Sequence, residues 1–172
     1  MLAGALAACS PALDWRDVRV PGGALVAQMP CRPGRFERAL TLAGRPLRLY
    51  MLSCEAGGVT YGVATADVGD LAQVGPVLEA LARAAEAGLR ARDPRPAPYD
   101  LPGATPFPGN VAERLRGRRP DGVAVEESLR VFARGTRIFQ ASALGPTLPD
   151  EAIAPFEAGL RFDLESKPAD PG

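Results

Sequence analysis

The chain contains no histidine, a single lysine (Lys167) and three cysteines among its 172 residues. Without histidine it cannot form a Ser-His-Asp triad, a Cys-His pair or a histidine-based metal site. Three cysteines are too few for a four-cysteine zinc site. Lys167 lies in a polar C-terminal segment, so we expect no Schiff-base or P-loop lysine. These absences exclude the commonest catalytic and metal centres, and we expect no cofactor and no metal.

The charges balance, with 20 basic and 20 acidic residues. Proteins that bind nucleic-acid phosphates carry an excess of positive charge, so we expect no nucleic-acid partner. All basic residues except Lys167 are arginine. Arginine makes bidentate contacts to anions, which is one interpretation of this bias. The other is a high-GC genome, which also explains the abundant alanine, glycine and proline, and we favour it.

The first nine residues, MLAGALAAC, are apolar or glycine up to the cysteine. The segment Leu6-Ala7-Ala8-Cys9 resembles the lipobox of bacterial lipoprotein signal peptides. The resemblance implies cleavage before Cys9, lipidation of that cysteine, and attachment to a membrane by the lipid alone. Ser10 after the cysteine implies the outer membrane, with the protein facing the periplasm of the cell envelope. The alternative is an ordinary apolar N-terminus with a cysteine there by chance.

No apolar run of about 18 residues follows that could cross a bilayer. We therefore divide the chain into a signal-peptide remnant (1–8), a lipidated tether (9–23), a single α+β domain (24–162) and a disordered tail (163–172). The tether contains Trp15, the only tryptophan, and its prolines and glycines predict no regular element. A first strand is predicted at Leu25 to Met29.

Residues 34–67 predict a meander of three strands with two tight turns, at 43–46 and 55–58. Apolar residues alternate with polar ones along each strand, as in strands that have one buried face. The alternating apolar residues are Phe36, Leu40 and Leu42, then Leu47, Leu49 and Met51, then Val59, Tyr61 and Val63.

A hairpin that turns at Gly44-Arg45 places Cys54 opposite Arg35, close to the point where Cys31 enters the first strand. In an exported chain, two cysteines that remain after lipidation are expected to form one disulfide. The alternative is two small buried thiols that pack as apolar groups.

Two helices are predicted. The first has a stripe of apolar residues from Leu71 to Leu89. It begins either at Asp70, which resembles a cap, or near Pro76 as a first-turn proline, and we expect the later start. The closing helix begins at 147–150, with Asp150 capping against Thr147, and buries Ile153, Phe156 and Leu160.

Residues 90–109 contain six prolines and predict an extended connector. A second meander follows at 111–117, 123–133 and 137–144. Strands, helix, strands and helix in this order predict an α+β domain in which two antiparallel meanders form a sheet covered by two helices.

Three short motifs carry a further resemblance: Met29-Pro30-Cys31-Arg32-Pro33 before the first meander, Arg137-Ile138-Phe139-Gln140 in the second, and Pro149-Asp150-Glu151 at the closing helix. Together with the order of elements, they resemble small exported bacterial proteins with a PsbP/Mog1-like fold. The resemblance implies a binding or assembly protein without enzymatic activity.

Carboxylates are the remaining candidates for catalysis. Glu126 and Glu127 are neighbours on a strand, so they point to opposite faces and cannot flank one bond. Glu127 shares the inward face of Val125 and Leu129. We interpret it as a structural ion pair with Arg114, Arg116 or Arg130 rather than as an acid catalyst.

Two functions are consistent with these observations. The first is a non-enzymatic envelope lipoprotein that binds a protein or an envelope component through a sheet face or the connector. The alternative is a small-ligand carrier or a carboxylate-using hydrolase with a pocket between meander and helices. A filled interior favours the first, whereas a deep pocket with a perturbed glutamate favours the second.

Overall fold

The computed structural model describes residues 13–22 and 24–163. Cys9, the lipobox, Lys167 and the segment expected to form the tail after Asp163 lie outside the described residues. The elements are β1 (Arg16–Arg19), β2 (Leu25–Met29), β3 (Gly34–Leu42), β4 (Arg45–Ala56), β5 (Val59–Asp67), α1 (Leu71–Gly88), β6 (Arg95–Pro96), β7 (Val111–Arg118), β8 (Ala124–Arg134), β9 (Arg137–Gly145), α2 (Asp150–Ala158) and β10 (Arg161–Phe162).

The strands form an antiparallel sheet of seven, in the order β3-β4-β5-β9-β8-β7-β6, and a sheet of three, in the order β1-β2-β10. The two predicted meanders join into one sheet because β5 pairs with β9. The strands of the second meander, β7, β8 and β9, lie within one residue of their predicted bounds. The α+β prediction is therefore confirmed, with more strands than expected. Neither helix in the described part of the chain is long and apolar enough to cross a membrane.

Both faces of the large sheet are covered over its inner strands, whereas the edge strand β3 is largely exposed, including Phe36, which was expected on a buried face. Helix α1 packs on one face, where Val74, Val77 and Leu78 are fully buried. The small sheet and α2 pack on the other face, where Met29, Ile153 and Phe156 are buried. The core thus has two layers, one on each side of the seven-stranded sheet.

This arrangement corrects the prediction that the first meander has a single buried face. Leu47 and Leu49 of β4 face α1, but Tyr61 and Val63 of β5 face the small sheet. The β5 residue that pairs with Met51, and so shares its sheet face, is Ala64 and not Tyr61 or Val63. A strand that is covered on both faces carries apolar residues at every position, so alternation does not identify its inner side.

Residues 16–19 were expected to lie in the tether, but they form β1, which pairs with β2 along its whole length. β10 pairs with the other edge of β2 and was not predicted. The apolar strand β2 lies in the core, so its backbone N–H and C=O groups need partners on both edges. The short strands β1 and β10 supply them.

The expected late start of α1 is also wrong. The helix begins at Leu71, and the Asp70 side chain accepts a hydrogen bond from the Ala72 N–H at 2.9 Å. Pro76 therefore lies inside the helix and removes one backbone hydrogen bond. The aspartate cap and the complete burial of Val74 in the first turns offset that loss.

Helix α2 begins at Asp150, as expected, but its N-cap is Pro149 and no side chain caps it. The predicted cap between Asp150 and Thr147 is not formed. The predicted burial is confirmed, because Ile153, Phe156 and Leu160 are all at most 5% exposed. Leu160 lies beyond the end of α2 at Ala158, so the buried stripe of the helix itself consists of Ile153 and Phe156.

The disulfide between Cys31 and Cys54 is confirmed, with the two Cα atoms 6.0 Å apart. The predicted register beside it is wrong, since Arg35 pairs with Leu52 and not with Cys54. The turn is one residue earlier than expected, at Ala43 and Gly44, which both have positive φ angles (48° and 75°). Moving a two-residue turn by one position shifts the pairing by two residues.

Candidate functional site

A groove of about 560 Å³ lies between the C-terminal half of α1 and strands β3, β4, β5 and β9. Its floor is made of apolar side chains on the α1-facing side of the sheet, including Leu40, Leu49 and Met51. We call this cavity the α1 groove. It is mainly apolar, and it is the best candidate for a binding site in the part of the chain that the structure describes.

The groove exists because α1 changes from large to small side chains along one face. In the first half of the helix, Val74, Val77 and Leu78 fill the space above the sheet. In the second half, the positions over the groove are Ala84, Ala85 and Gly88. Side chains three and four residues apart share a helix face, so these small residues form one wall. They leave open a space that leucines at the same positions would fill.

Hydroxyl groups form a polar strip across the floor. Ser53 pairs with Gly62, and Gly62 pairs with Ser142, so the three residues lie in one row across β4, β5 and β9. All three line the groove, together with Gln140 and Thr60. Because Gly62 has no side chain, the two serine hydroxyls flank an open position. The strip can donate and accept hydrogen bonds inside an otherwise apolar site.

Glu127 lies behind this strip. It is 7% exposed, and burial raises its pKa to about 7, against the opposing effect of a hydrogen bond with Ser142. Its cross-strand neighbours Leu115 and Leu144 supply no charge. The carboxyl group does not itself line the groove, but its partner Ser142 does. The predicted inward orientation of Glu127 is therefore confirmed.

The predicted ion pair of Glu127 is not formed among the described residues. Arg130 and Arg114 bind Glu157 of α2, at 3.0 and 3.3 Å, and Arg116 binds Glu126 at 3.0 Å. The reason is strand alternation. The three arginines project from the face that carries α2, whereas Glu127 projects towards α1.

The Glu157 cluster on that opposite face was not found from the sequence. The Glu157 carboxylate also accepts a hydrogen bond from the Ser128 hydroxyl, and Arg130 donates to the Pro98 carbonyl at 3.1 Å. Next to it, burial raises the pKa of Tyr99 to about 12. These contacts attach α2 and the connector to β7 and β8. Nothing in the spacing of Glu157 relative to strand residues almost 30 positions away signals this pairing.

The disulfide lies outside the groove, at the end of β4. Cys54 follows directly after the groove residue Ser53, and its sulfur is 3.4 Å from the Cys31 carbonyl oxygen. Within residues 13–22 and 24–163 there is no group of three or more acidic, cysteine or histidine side chains that could hold a metal ion.

No protein-family model matches the chain, and no curated protein matches it. The PsbP/Mog1-like resemblance and the lipobox at Cys9 therefore stay predictions from the sequence.

Proposed function

We propose that this protein is a small-ligand carrier of the bacterial envelope, anchored by a lipid at Cys9, and that the α1 groove binds an apolar envelope component. A pocket between meander and helices, with a perturbed glutamate beside it, is the outcome that favours this alternative over a binding module with a filled interior. The observation that carries the proposal is the groove itself. Its volume of about 560 Å³ lies within the range of about 300–1,000 Å³ that is typical of small-molecule sites. A mainly apolar lining with a few hydroxyls is also typical of such sites.

The lining indicates the chemistry of the ligand. Leu40, Met51 and Leu81 offer a surface for a hydrocarbon chain, and Ser53 and Ser142 offer hydrogen bonds along it. Arg38 of the edge strand β3 also lines the groove and is exposed, so a cation is available where the groove meets solvent. An amphiphile with one acyl chain and a polar or anionic head fits this distribution.

A carboxylate-using hydrolase is the second candidate, and the hydrogen bond between Glu127 and Ser142 is the observation in its favour. A general base needs to lie within hydrogen-bonding reach of the proton that it takes. Ser142 lines the groove and Glu127 does not. The carboxyl group could therefore act only through the serine hydroxyl, and binding remains the function that the geometry supports best.

The groove proposal is tested with the full chain carrying Cys9→Ala, to remove the anchor. N-phenyl-1-naphthylamine, an uncharged apolar fluorophore, is titrated into the protein and then displaced with palmitate. Ala85→Trp fills the groove and should weaken binding at least ten-fold. Ala87→Trp, on the exposed face of the same helix, is the matched control and should bind like the parent. Equal binding by both variants and the parent would contradict the proposal.

The anchor is tested separately. Cys9→Ala in the otherwise unchanged protein should leave the chain unprocessed or release it from the membrane fraction at high salt, because salt screens charge-mediated attachment but not a lipid anchor. The wild type should carry an acyl mass on Cys9. An unacylated wild type whose membrane association survives Cys9→Ala would contradict the lipid anchor without affecting the groove.

The hydrolase alternative is tested with a screen of esterase, glycosidase and amidase substrates. We expect no activity. An activity that is lost in Glu127→Gln, while palmitate binding to the groove is retained, would replace the binding-protein proposal by the second candidate.

A further inference from the structure

Four arginine residues line one depression at the end of the large sheet. Arg90 and Arg92 follow α1, and Arg116 and Arg118 belong to β7. With Gly117 and Ala124 they line a space of about 510 Å³. We call this site the arginine depression. It lies beyond the C-terminal end of α1 and shares no lining residue with the α1 groove.

Backbone contacts bring the two arginine pairs together. The Arg118 N–H donates to the Leu89 carbonyl at 2.7 Å, and the Arg92 N–H donates to the Arg116 carbonyl at 3.4 Å. Gly117 permits this approach, because a Cβ atom there would overlap the Leu89 carbonyl oxygen. The segment after the helix is thus held against a strand of the sheet. Rigid elements therefore position the arginines.

The depression has an excess of positive charge. Arg116 pairs with Glu126 at 3.0 Å, and Arg118 donates to the Gly122 carbonyl at 2.8 Å. Among the described residues, no carboxylate forms a salt bridge with Arg90, Arg92 or Arg118. The end of α1 contributes only about half a negative charge. A local excess of more than two positive charges therefore remains, in a chain whose net charge is zero.

We propose that the arginine depression binds phosphate groups. Guanidinium groups match phosphate oxygens with two parallel hydrogen bonds, and several arginines around one site are typical of phosphate recognition. The space of about 510 Å³ admits a phosphate ester between the four side chains. This inference goes beyond the proposed groove function. The phosphate site does not depend on lipidation of Cys9, whereas the choice of a membrane lipid as its ligand rests on the proposed anchor.

The position of the depression favours the phosphate of a membrane lipid headgroup. Arg116 lies near the end of the sheet at which β4 terminates, beside the disulfide. The chain leaves the domain towards Cys9 at that same end, since the Asp14 N–H donates to the Pro30 carbonyl, next to Cys31. Five residues of chain connect Asp14 to Cys9, and a stretch of that length can span at most about 18 Å. An anchor at Cys9 would hold this end of the sheet towards the membrane.

The test uses the full chain with Cys9→Ala, so that any membrane binding comes from the protein surface. Cosedimentation is measured with vesicles of equal parts phosphatidylcholine and phosphatidylglycerol, and with vesicles of phosphatidylcholine alone. In parallel, backbone amide resonances are followed during a titration with inorganic phosphate. Arg90→Gln with Arg92→Gln removes two charges from the depression. Arg48→Gln with Arg83→Gln removes two exposed charges elsewhere, each paired with a glutamate, and is the control for the change in net charge.

We expect binding only to the vesicles that contain phosphatidylglycerol. Each basic residue at an anionic surface strengthens binding about five-fold, so the Arg90/Arg92 variant should bind about 25-fold more weakly. The control should be unchanged. A second outcome is that the protein does not bind vesicles, but that phosphate shifts the amide resonances of Arg92 and Arg118 and the Arg90/Arg92 variant abolishes these shifts. That outcome would support the site with a soluble phosphate ester as its ligand. Neither vesicle binding nor shifts, or equal weakening by both double variants, would overturn the proposal.

Discussion

The carbonyl oxygen of Leu89 lies directly against Gly117 and accepts a hydrogen bond from the Arg118 N–H at 2.7 Å. This contact fixes the C-terminal end of α1 on strand β7. On one side of it, Gly88 lines the α1 groove, and on the other, Arg90 lines the arginine depression. The position of a single glycine therefore sets the geometry of both candidate sites.

Gly117→Ala should destabilise the protein. The added methyl group would overlap the Leu89 carbonyl, and overpacking of this kind costs about 1–3 kcal/mol. Gly75→Ala is the control, because nothing lies within 4 Å of its Cβ position inside α1. It should stabilise the helix by about 1 kcal/mol. Urea unfolding of both variants measures the difference, and equal stabilities would contradict the close contact at Gly117.

Glu127 should make stability depend on pH. Burial raises its pKa to about 7 from an ordinary value of 4.5, so the folded state binds the proton more tightly than the unfolded state does. Stability from this group is therefore highest below about pH 4.5 and falls as the pH rises to about 7. The difference of about 2.5 between the two pKa values corresponds to about 3 kcal/mol in the free energy of unfolding. The chain has no histidine, so no imidazole titrates in the same interval.

Glu127→Gln tests this expectation, since the amide keeps the size of the side chain and cannot ionise. The variant should unfold at a higher urea concentration than the wild type at pH 8, and the difference should shrink towards pH 5. The free energy of unfolding of the variant should still fall with rising pH, but less steeply than that of the wild type. The reason is that burial and, to a lesser extent, Glu86 also raise the pKa of Glu113. An identical pH profile in both proteins would show that Glu127 is not the titrating group.

The disulfide should contribute about 3 kcal/mol to stability. Cys31 and Cys54 are separated by 23 positions, and in the chain-entropy model a loop of this length loses that much freedom in the unfolded state. Reductant should destabilise the wild type by this amount. It should have no effect on the variant with Cys31→Ser and Cys54→Ser, which starts at the lower stability. Indifference of the wild type to complete reduction would contradict a stabilising role.

Phe156 should be the most sensitive residue of α2. Its ring is 2% exposed and lies 5.4 Å from the ring of Tyr61, edge to face. The Tyr61 hydroxyl donates a hydrogen bond to the Ala152 carbonyl at 2.9 Å. The ring and the hydroxyl of Tyr61 therefore both attach α2 to the large sheet. Phe156→Ala should cost about 3–5 kcal/mol. Leu71→Ala, at a position that is 59% exposed, should cost less than about 0.5 kcal/mol.

The sequence alone was sufficient for features that depend on neighbouring residues. The second meander and the apolar strand β2 follow from short patterns, and their bounds agree with the structure to within one residue. The burial of Ile153 and Phe156 in α2 follows from such a pattern as well. The disulfide was also predictable, because the two cysteines flank one predicted hairpin. The register of that hairpin was not, since two adjacent turn positions are compatible with the same glycine.

The candidate sites depend on contacts between residues far apart in the chain. The α1 groove needs the small residues of α1, from Ala84 to Gly88, to lie over Gly62 and its two serine neighbours. Gly62 and Ser53 are more than 20 positions before those small residues, and Ser142 is more than 50 positions after them. The arginine depression likewise combines the segment after α1 with strand β7, and Glu127 of β8 meets Ser142 of β9. Local periodicity records which residues prefer burial, and it determined the elements. Only tertiary packing decided which sheet face lies against α1 and which lies against α2 and the small sheet. A strand that is buried on both faces has apolar residues at every position, so no pattern within it tells the two faces apart.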